Sequence, residues 1–379
     1  MNKKLKVSVI YAILCLITFF LFIRSDRQED KYNQDVLEAK AIVLEVDDSD
    51  VVKSGISAIG YQTLQVRIID GTYKGEKLSV SNPLMGKLDY DNYYKVKDKV
   101  IIALKTDTEG HIIDAKAVEL YRQNYMLIVF IIFVILLVWY ARDIGVKALF
   151  SFVFTILILW KLLIPLLLEG KNPMVIASLT LVLLSAVILF SVAGFTRKGV
   201  SAFLGTLCGL LITLFLTMII GDKLGLRGMT APYAETIVFS GYFHLDMRSI
   251  FYVAVIIGSS GAAMDIAMDV ASACWEIKEK KPDISRKELI RSGFNVGRDV
   301  IGTMTTTLLL AYSGGYLTLL MLFQIRESSF SRIINMKIIA AEIMRTLVGS
   351  IGLVLVAPIT ALVAGLIMVK DTQPKQLDI

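Results

Sequence analysis

The chain has 379 residues, a formal net charge of +6, a hydrophobic fraction of 55% and a mean hydropathy of +0.65. Soluble domains do not reach this hydropathy, and the many long apolar runs indicate a polytopic membrane protein. The basic excess does not indicate nucleic-acid binding, because many lysines and arginines fall between apolar runs, where they orient membrane helices.

The first apolar run, residues 7–23, follows Lys3, Lys4 and Lys6. No small-residue cleavage pattern comes after it, which favours an uncleaved signal anchor over a cleaved signal peptide. Seven further apolar runs bring the predicted number of spans to eight. The predicted spans are 7–23, 125–140, 148–168, 174–195, 200–220, 249–271, 300–323 and 346–368.

The polar region 30–122 between the first two spans is long enough for a small domain. Segments 41–46, 61–69, 76–80 and 99–104 alternate or cluster like strands, and turn residues such as Asn82 and Pro83 separate them. Five or so short strands predict a small antiparallel β-barrel, for which an OB-like barrel is the candidate form. No stripe of aromatic and basic residues stands out, so a docking or gating role is favoured over oligonucleotide binding.

The excess of Lys and Arg in alternate short loops predicts that both termini are cytoplasmic and that 30–122 is extracytoplasmic, in the plasma membrane. The fold class is therefore an α-helical polytopic membrane protein with a small outer all-β domain. The predicted divisions are an anchor at 1–29, the barrel at 30–122, a second span and link at 123–147, a six-helix bundle at 148–369 and a tail at 370–379.

Two connections carry local structure. The outer connection 222–248 is too polar to span, and its portion 232–241 predicts a short interfacial helix. In the inner loop 276–298, Ser285 is a candidate helix cap, with Glu288 three residues on completing a capping box. Gly293 is expected to end that helix before the seventh span.

The most informative stretch is 258–269, a Gly- and Ser-rich run that ends in Asp265 and Asp269. A spacing of four places these two carboxylates on one helix face. An acid within a membrane span is costly, and it usually faces a protein interior or a water-filled path. Asp265 is therefore the leading candidate for proton or ion coupling.

The seventh span starts from the same side and supplies further candidates. Arg298 is expected to pair with Asp265 or Asp269, and the hydroxyls of Thr303 and Thr306 to bond the remaining oxygens. In the alternative without proton or ion coupling, Asp269 is simply solvated, and Arg298 and Asp299 anchor their helix at the membrane interface.

A second charged pair, Glu342 and Arg345, shares a face near the start of the eighth span. Its expected role is to hold that helix against the bundle; an outer gate is the functional alternative. Small residues read as helix-packing positions in membrane proteins. The predicted packing or gating positions are Gly258, Gly261, Gly302, Glu342, Arg345, Gly349 and Gly352.

No metal site, cofactor or enzyme activity is predicted. The three cysteines, Cys15, Cys208 and Cys274, lie in or beside apolar runs without zinc spacing, and His111 and His244 are far apart. Nucleotide-loop, nucleophile-elbow and zinc-protease motifs are not found in the sequence.

Several segments from residue 245 onward resemble the YibE/F-like family of bacterial integral membrane proteins. They are 245–248, 258–265 (GSSGAAMD), 292–299 (SGFNVGRD), 302–312, 341–352 and 357–360. In organisation the resemblance extends over 125–368. A more distant similarity links the last six spans to the six-helix half of resistance-nodulation-division permeases and SecD/SecF, in which intramembrane acids carry protons.

These observations lead to two hypotheses of different classes and a remote third. The first is a proton- or ion-coupled transporter, or a subunit of a transport complex, with Asp265 as the proton carrier. The second is a non-transporting assembly or sensor protein whose outer barrel binds a partner. An intramembrane enzyme is the third. Because the permeases it resembles have two halves, a homodimer or pairing with a related membrane subunit is expected, with an unknown small-molecule or ion substrate.

Overall fold

The structure, a computed structural model, describes residues 36–325 and 329–369. The predicted first span, 7–23, and the tail, 370–379, lie outside the described residues. The chain divides into two compact units, which within the described residues cover 36–140 and 141–369.

The first unit contains a closed five-stranded barrel in the order β1-β2-β3-β5-β4. The prediction of a small barrel in this region is confirmed. Neighbouring strands are antiparallel except β3 and β5, which pair in parallel at Ser81 and Lys116. The strands are β1 (Val36–Ser54), β2 (Ser57–Ile68), β3 (Lys77–Met85), β4 (Lys99–Thr106) and β5 (Ile112–Leu120).

Alternation along each strand builds the barrel core. In β2, Leu64, Val66 and Ile68 are at most 1% exposed, while the residues between them face outward, as the two-residue repeat of a strand requires. Two buried polar side chains, Gln62 and Asn82, interrupt this core, and the Asn82 amide donates to Gln62 Oε1 at 3.0 Å. Gln62 donates to Tyr94 O at 3.0 Å and accepts from Tyr94 N at 3.0 Å, which pins the segment before β4 to β2.

The prediction that Asn82 and Pro83 form a turn is wrong, because both lie within β3. Pro83 pairs with Tyr61 of β2, and the pairing of β3 with β5 is confined to Ser81. Proline lacks a backbone N–H, so it is tolerated in a strand where a ladder bond on one side is not needed.

The described residues after the barrel are mainly helical. The helices are α1 (Gln123–Ile158), one π-helical segment (Leu159–Leu163), α2 (Ile164–Leu168), α3 (Pro173–Ala193), α4 (Arg197–Lys223), α5 (Ala234–Phe239), α6 (Met247–Lys280), α7 (Arg286–Gly315), α8 (Leu317–Ile325), α9 (Phe330–Ile334) and α10 (Lys337–Met368). The short helix predicted within 232–241 is confirmed as α5.

Among the described residues, five helical segments are long and apolar enough to cross a membrane, or six if the bent pair of α7 and α8 counts as one span. The predicted spans 125–140 and 148–168 fall in one helical run of 46 residues, interrupted at Arg142 by a φ of 47° and a ψ of −124°. A count of eight spans therefore stays a prediction, as does a permease-like bundle.

The second unit is organised around α6, which packs against α3, α4, α7 and α10. Its tightest seam lies between α4 and α10, which run antiparallel. A Cβ added at Gly205 would overlap Thr360, one at Gly209 would overlap Val356, and one at Gly352 would overlap Thr213. The fourfold spacing of these positions on each helix brings the two backbones together, as small residues do in membrane proteins.

Three other predictions concern α7 and its neighbours. Ser285 does cap α7, because its Oγ accepts from Glu288 N at 3.3 Å, whereas the Glu288 carboxylate pairs with Lys281 at 2.8 Å instead of closing a capping box. Gly293 does not end the helix. It is buried inside α7, where an added Cβ would lie 2.8 Å from Cys274 Sγ.

Candidate functional site

Helix α6 carries the predicted carboxylates and begins at a well-formed cap. Asp246 accepts from Ser249 N at 3.2 Å, which satisfies a first-turn donor. From there the helix runs 34 residues, and four neighbouring helices bury most of its circumference. Only a narrow face stays open.

That open face consists of small and acidic residues. At spacings of four, three, four and four, they fall on one side of a helix with 3.6 residues per turn. We call this set the α6 stripe. Its members, all exposed, are Ala254, Gly258, Gly261, Asp265 and Asp269.

Helix α7 lies beside this stripe at a register fixed by three contacts. Gly293 lies against Cys274, Gly297 against Val270, and Tyr312 Oη lies 2.6 Å from the position that a Cβ on Gly258 would take. Because the helices are antiparallel, this register places Arg298 level with Asp269. By the same count, Thr303 is level with Asp265, and Thr306 with Gly261.

The predicted contacts across this register do not form within the chain. No ion pair joins Arg298 to Asp265 or Asp269 in the part of the chain that the structure describes. Thr303 Oγ1 donates instead to Val300 O at 3.1 Å, within its own helix. Arg298, Asp299, Thr303 and Thr306 are all exposed, because their face of α7 points away from the bundle.

The glycines predicted as packing positions divide into two groups. Gly258, Gly349 and Gly352 have close neighbours on another helix, as packing positions should. At Gly261 and Gly302 an added Cβ would meet no described atom within 4 Å, so their role in packing or gating stays a prediction. Both lie on the open faces of α6 and α7, so no contact among residues 36–325 and 329–369 requires them to be small.

The pair of Glu342 and Arg345 forms as predicted, with 3.4 Å between its closest atoms and side chains that are 14% and 15% exposed. The Arg345 guanidinium lies 5.5 Å from the ring centroid of Phe251 on α6. Glu342 Oε2, Arg345 Nε and Tyr312 Oη are buried without a hydrogen-bond partner among the described residues. Such atoms strongly favour a nearby water or polar ligand.

The buried pair contacts the same helix that carries the carboxylates. Phe251 and Asp265 are 14 residues apart, which is about 21 Å along a helix. Tyr312 reaches the stripe at Gly258, between these two ends. The small and acidic residues of the stripe therefore run from Gly258, beside Tyr312, to Asp269, whereas Arg345 contacts α6 at the buried ring of Phe251.

A third polar cluster, which the sequence did not predict, lies at the start of α6. Tyr252 Oη donates to Asp222 Oδ1 at 2.8 Å, and Arg248 Nη1 lies 3.1 Å from the same oxygen. The ring of Tyr252 covers Gly221 at the end of α4. The adjacent Gly221 and Asp222 at a helix end were the available signal, but only the packing of α4 on α6 shows what they contact.

The spacing of charged residues along α6 matches the thickness of a bilayer. Arg248 and Glu276 are 28 residues apart, about 42 Å along the helix, which matches a bilayer with its headgroup regions. Asp265 lies about 26 Å from Arg248 and so falls within a centred hydrocarbon core of about 30 Å. At this depth a carboxylate and adjacent hydroxyls can exchange a proton or hold a cation, if lipid is excluded.

No group of three or more His, Cys, Asp or Glu side chains suited to a metal ion occurs within 36–325 and 329–369. The two cysteines described, Cys208 and Cys274, are free thiols.

Comparison with known families accounts for nearly the whole chain. Residues 129–370 match the YibE/F-like protein family, and residues 30–119 match the YibE/F family N-terminal domain. Comparison with curated proteins and with solved structures gives no match. The first match covers the helices that carry the stripe, and the second covers the barrel. This chain therefore belongs to the YibE/F-like family.

Proposed function

We propose that this membrane protein is a proton- or ion-coupled transporter, or a subunit of a transport complex, that uses the α6 stripe as part of its pathway. The observation that carries the proposal is the exposed line of Gly258, Gly261, Asp265 and Asp269 on a helix otherwise enclosed by neighbours. A stripe with acids at membrane depth is costly in lipid and useful to a cation or proton.

In this mechanism Asp265 takes up and releases the proton or cation. Thr303, at the same level on α7, orients it, and Thr306 extends the polar path toward Gly261. Arg298, level with Asp269, lowers the affinity of the acidic end for a cation. The buried atoms of Glu342, Arg345 and Tyr312 make the far end of the path hydrated.

The proposal extends to topology and partners. We place the protein in a bacterial plasma membrane, with both termini in the cytoplasm and the barrel outside. A homodimer or a related membrane subunit shields the open faces of α6 and α7 from lipid. No catalytic chemistry or cofactor is assigned to the chain.

Asp265→Asn tests the proposal in proteoliposomes loaded with a pH-sensitive dye. We expect the mutant to lose proton or cation flux while keeping its fold, because an amide cannot carry the charge. Asp283→Asn, an exposed acid in the loop before α7, is the matched control and should retain full flux. Flux through Asp265→Asn equal to that of the control would remove Asp265 from the mechanism.

A second candidate function, partner binding by the barrel, is favoured by one surface. Val52, Ile59 and Met85 are direct cross-strand neighbours on β1, β2 and β3, and they are 70%, 54% and 69% exposed. Contiguous exposed apolar residues of this kind mark binding surfaces. If partner binding is the main function, Ile59→Ser abolishes the cellular activity that depends on the partner, whereas flux in proteoliposomes is unaffected.

A further inference from the structure

We propose that a second copy of this chain covers the open face of α6 and α7, so that Asp269 of each copy pairs with Arg298 of the other. The proposal deepens the proposed function, because it names the partner that shields the same stripe. It rests on three features of the described residues: the position of uncovered charges, their complementarity, and the room around two glycines.

The uncovered charges come first. Asp265 and Asp269 on α6, and Arg298 and Asp299 on α7, are exposed; α6 is long and apolar enough to cross a membrane, and α7 is so together with α8. Intramembrane charges in proteins pair with one another or face water, because lipid solvates neither carboxylate nor guanidinium. Arg298 has no ion pair with either α6 carboxylate, so within the described part of the chain these charges are open to a second molecule.

The charges are complementary to a second copy in a two-fold arrangement. Two copies inserted in the same direction are related by an axis along the bilayer normal, so each residue keeps its depth in both copies. Within one chain Arg298 is level with Asp269, and Thr303 is level with Asp265. Across such an axis, Arg298 of each copy therefore lies at the same depth as Asp269 of the other. The interface would contain this pair twice, as an isologous interface requires.

The room around the glycines fits the same occupant. Cβ atoms added at Gly261 and Gly302 would meet no described atom within 4 Å, although both positions lie beside the charges. Small residues on a membrane helix let another backbone approach closely, and this approach brings short aspartate side chains within reach of the facing arginine. Small residues at these positions give a lipid tail no specific contact, whereas they allow a facing helix to approach closely.

Cross-linking tests whether the two faces meet. The background is Cys15→Ser with Cys208→Ser, and buried Cys274 is kept. Two differently tagged versions are reconstituted together, one with Gly261→Cys and the other with Thr306→Cys, which lie at one level. A short thiol cross-linker should give a mixed-tag species at twice the chain mass of 42.1 kDa. Leu179→Cys, 66% exposed on α3, is the matched control and should give none.

Charge reversal then tests the pairing itself, in lipid vesicles that hold only this chain. Asp269→Arg and Arg298→Asp should each weaken dimer association about tenfold, and the double variant should restore it. Far-UV circular dichroism of each variant confirms folding. Cross-linking no greater than that of the Leu179→Cys control, or a double variant as weak as the singles, would overturn the proposal.

The outcome is independent of transport. A dimer that forms normally while Asp265→Asn keeps its flux defeats the proposed function but leaves the interface standing. Loss of flux in Asp265→Asn together with a chain that stays monomeric defeats the interface alone.

Discussion

The seam between α4 and α10 predicts a large effect from one methyl group. In Gly209→Ala the new Cβ would overlap Val356 Cγ2 and lie 3.3 Å from Val356 Cβ. Val356 is fully buried, so it cannot swing aside into open space. Overpacking of this kind costs about 1–3 kcal/mol, and the better helix propensity of alanine returns about 0.5–1 kcal/mol. We expect Gly209→Ala to lower the free energy of unfolding by about 1–2 kcal/mol.

Detergent-solubilised protein, unfolded by SDS and followed by far-UV circular dichroism, provides the assay. Gly314→Ala is the matched control, because an added Cβ there would meet no described atom within 4 Å. Adding Val356→Ala to Gly209→Ala removes the colliding methyl groups. The loss of unfolding free energy in the double variant should therefore be at least about 1 kcal/mol smaller than the sum of the losses in the two single variants. Additive effects, or equal stabilities of Gly209→Ala and Gly314→Ala, would refute the close seam.

Three further predictions concern the barrel, each measured by thermal unfolding of the full chain. Burial raises the pKa of Tyr94 to about 12, and its hydroxyl has no hydrogen-bond partner among the described residues. Tyr94→Phe should therefore stabilise the barrel by about 1 kcal/mol. A loss of stability in this variant would show that the hydroxyl has a partner. Gln62→Leu should destabilise it by about 2–3 kcal/mol by stranding the Tyr94 backbone groups, whereas an unchanged midpoint would contradict that role. The His111 backbone N–H holds the pKa of Asp107 below 3.8; its stabilisation is therefore present above that pH and lost as the pH falls through the lower folded value. The wild-type protein should be more stable than Asp107→Asn at neutral pH and lose this advantage in acid. A stability difference that does not change with pH would contradict the role of the Asp107–His111 hydrogen bond.

The sequence was sufficient for the class of protein and for most of its elements. Long apolar runs predicted membrane helices, and alternation with turn residues predicted the barrel, because burial imposes these periods directly. Ser285 was found as a cap for the same local reason. The predictions for Pro83 and Gly293, that each would interrupt regular structure, were wrong. Pro83 is tolerated in β3 because its strand partner needs no N–H there, and Gly293 continues α7 because it packs tightly against another helix.

Helical periodicity determined that Gly258, Gly261, Asp265 and Asp269 share one face, since that depends only on 3.6 residues per turn. It could not determine which face a neighbour covers. The packing of α3, α4, α7 and α10 around α6 decided that this face stays open and that Gly209 meets Val356. Such contacts join residues far apart in the chain, and only the tertiary structure brings them together.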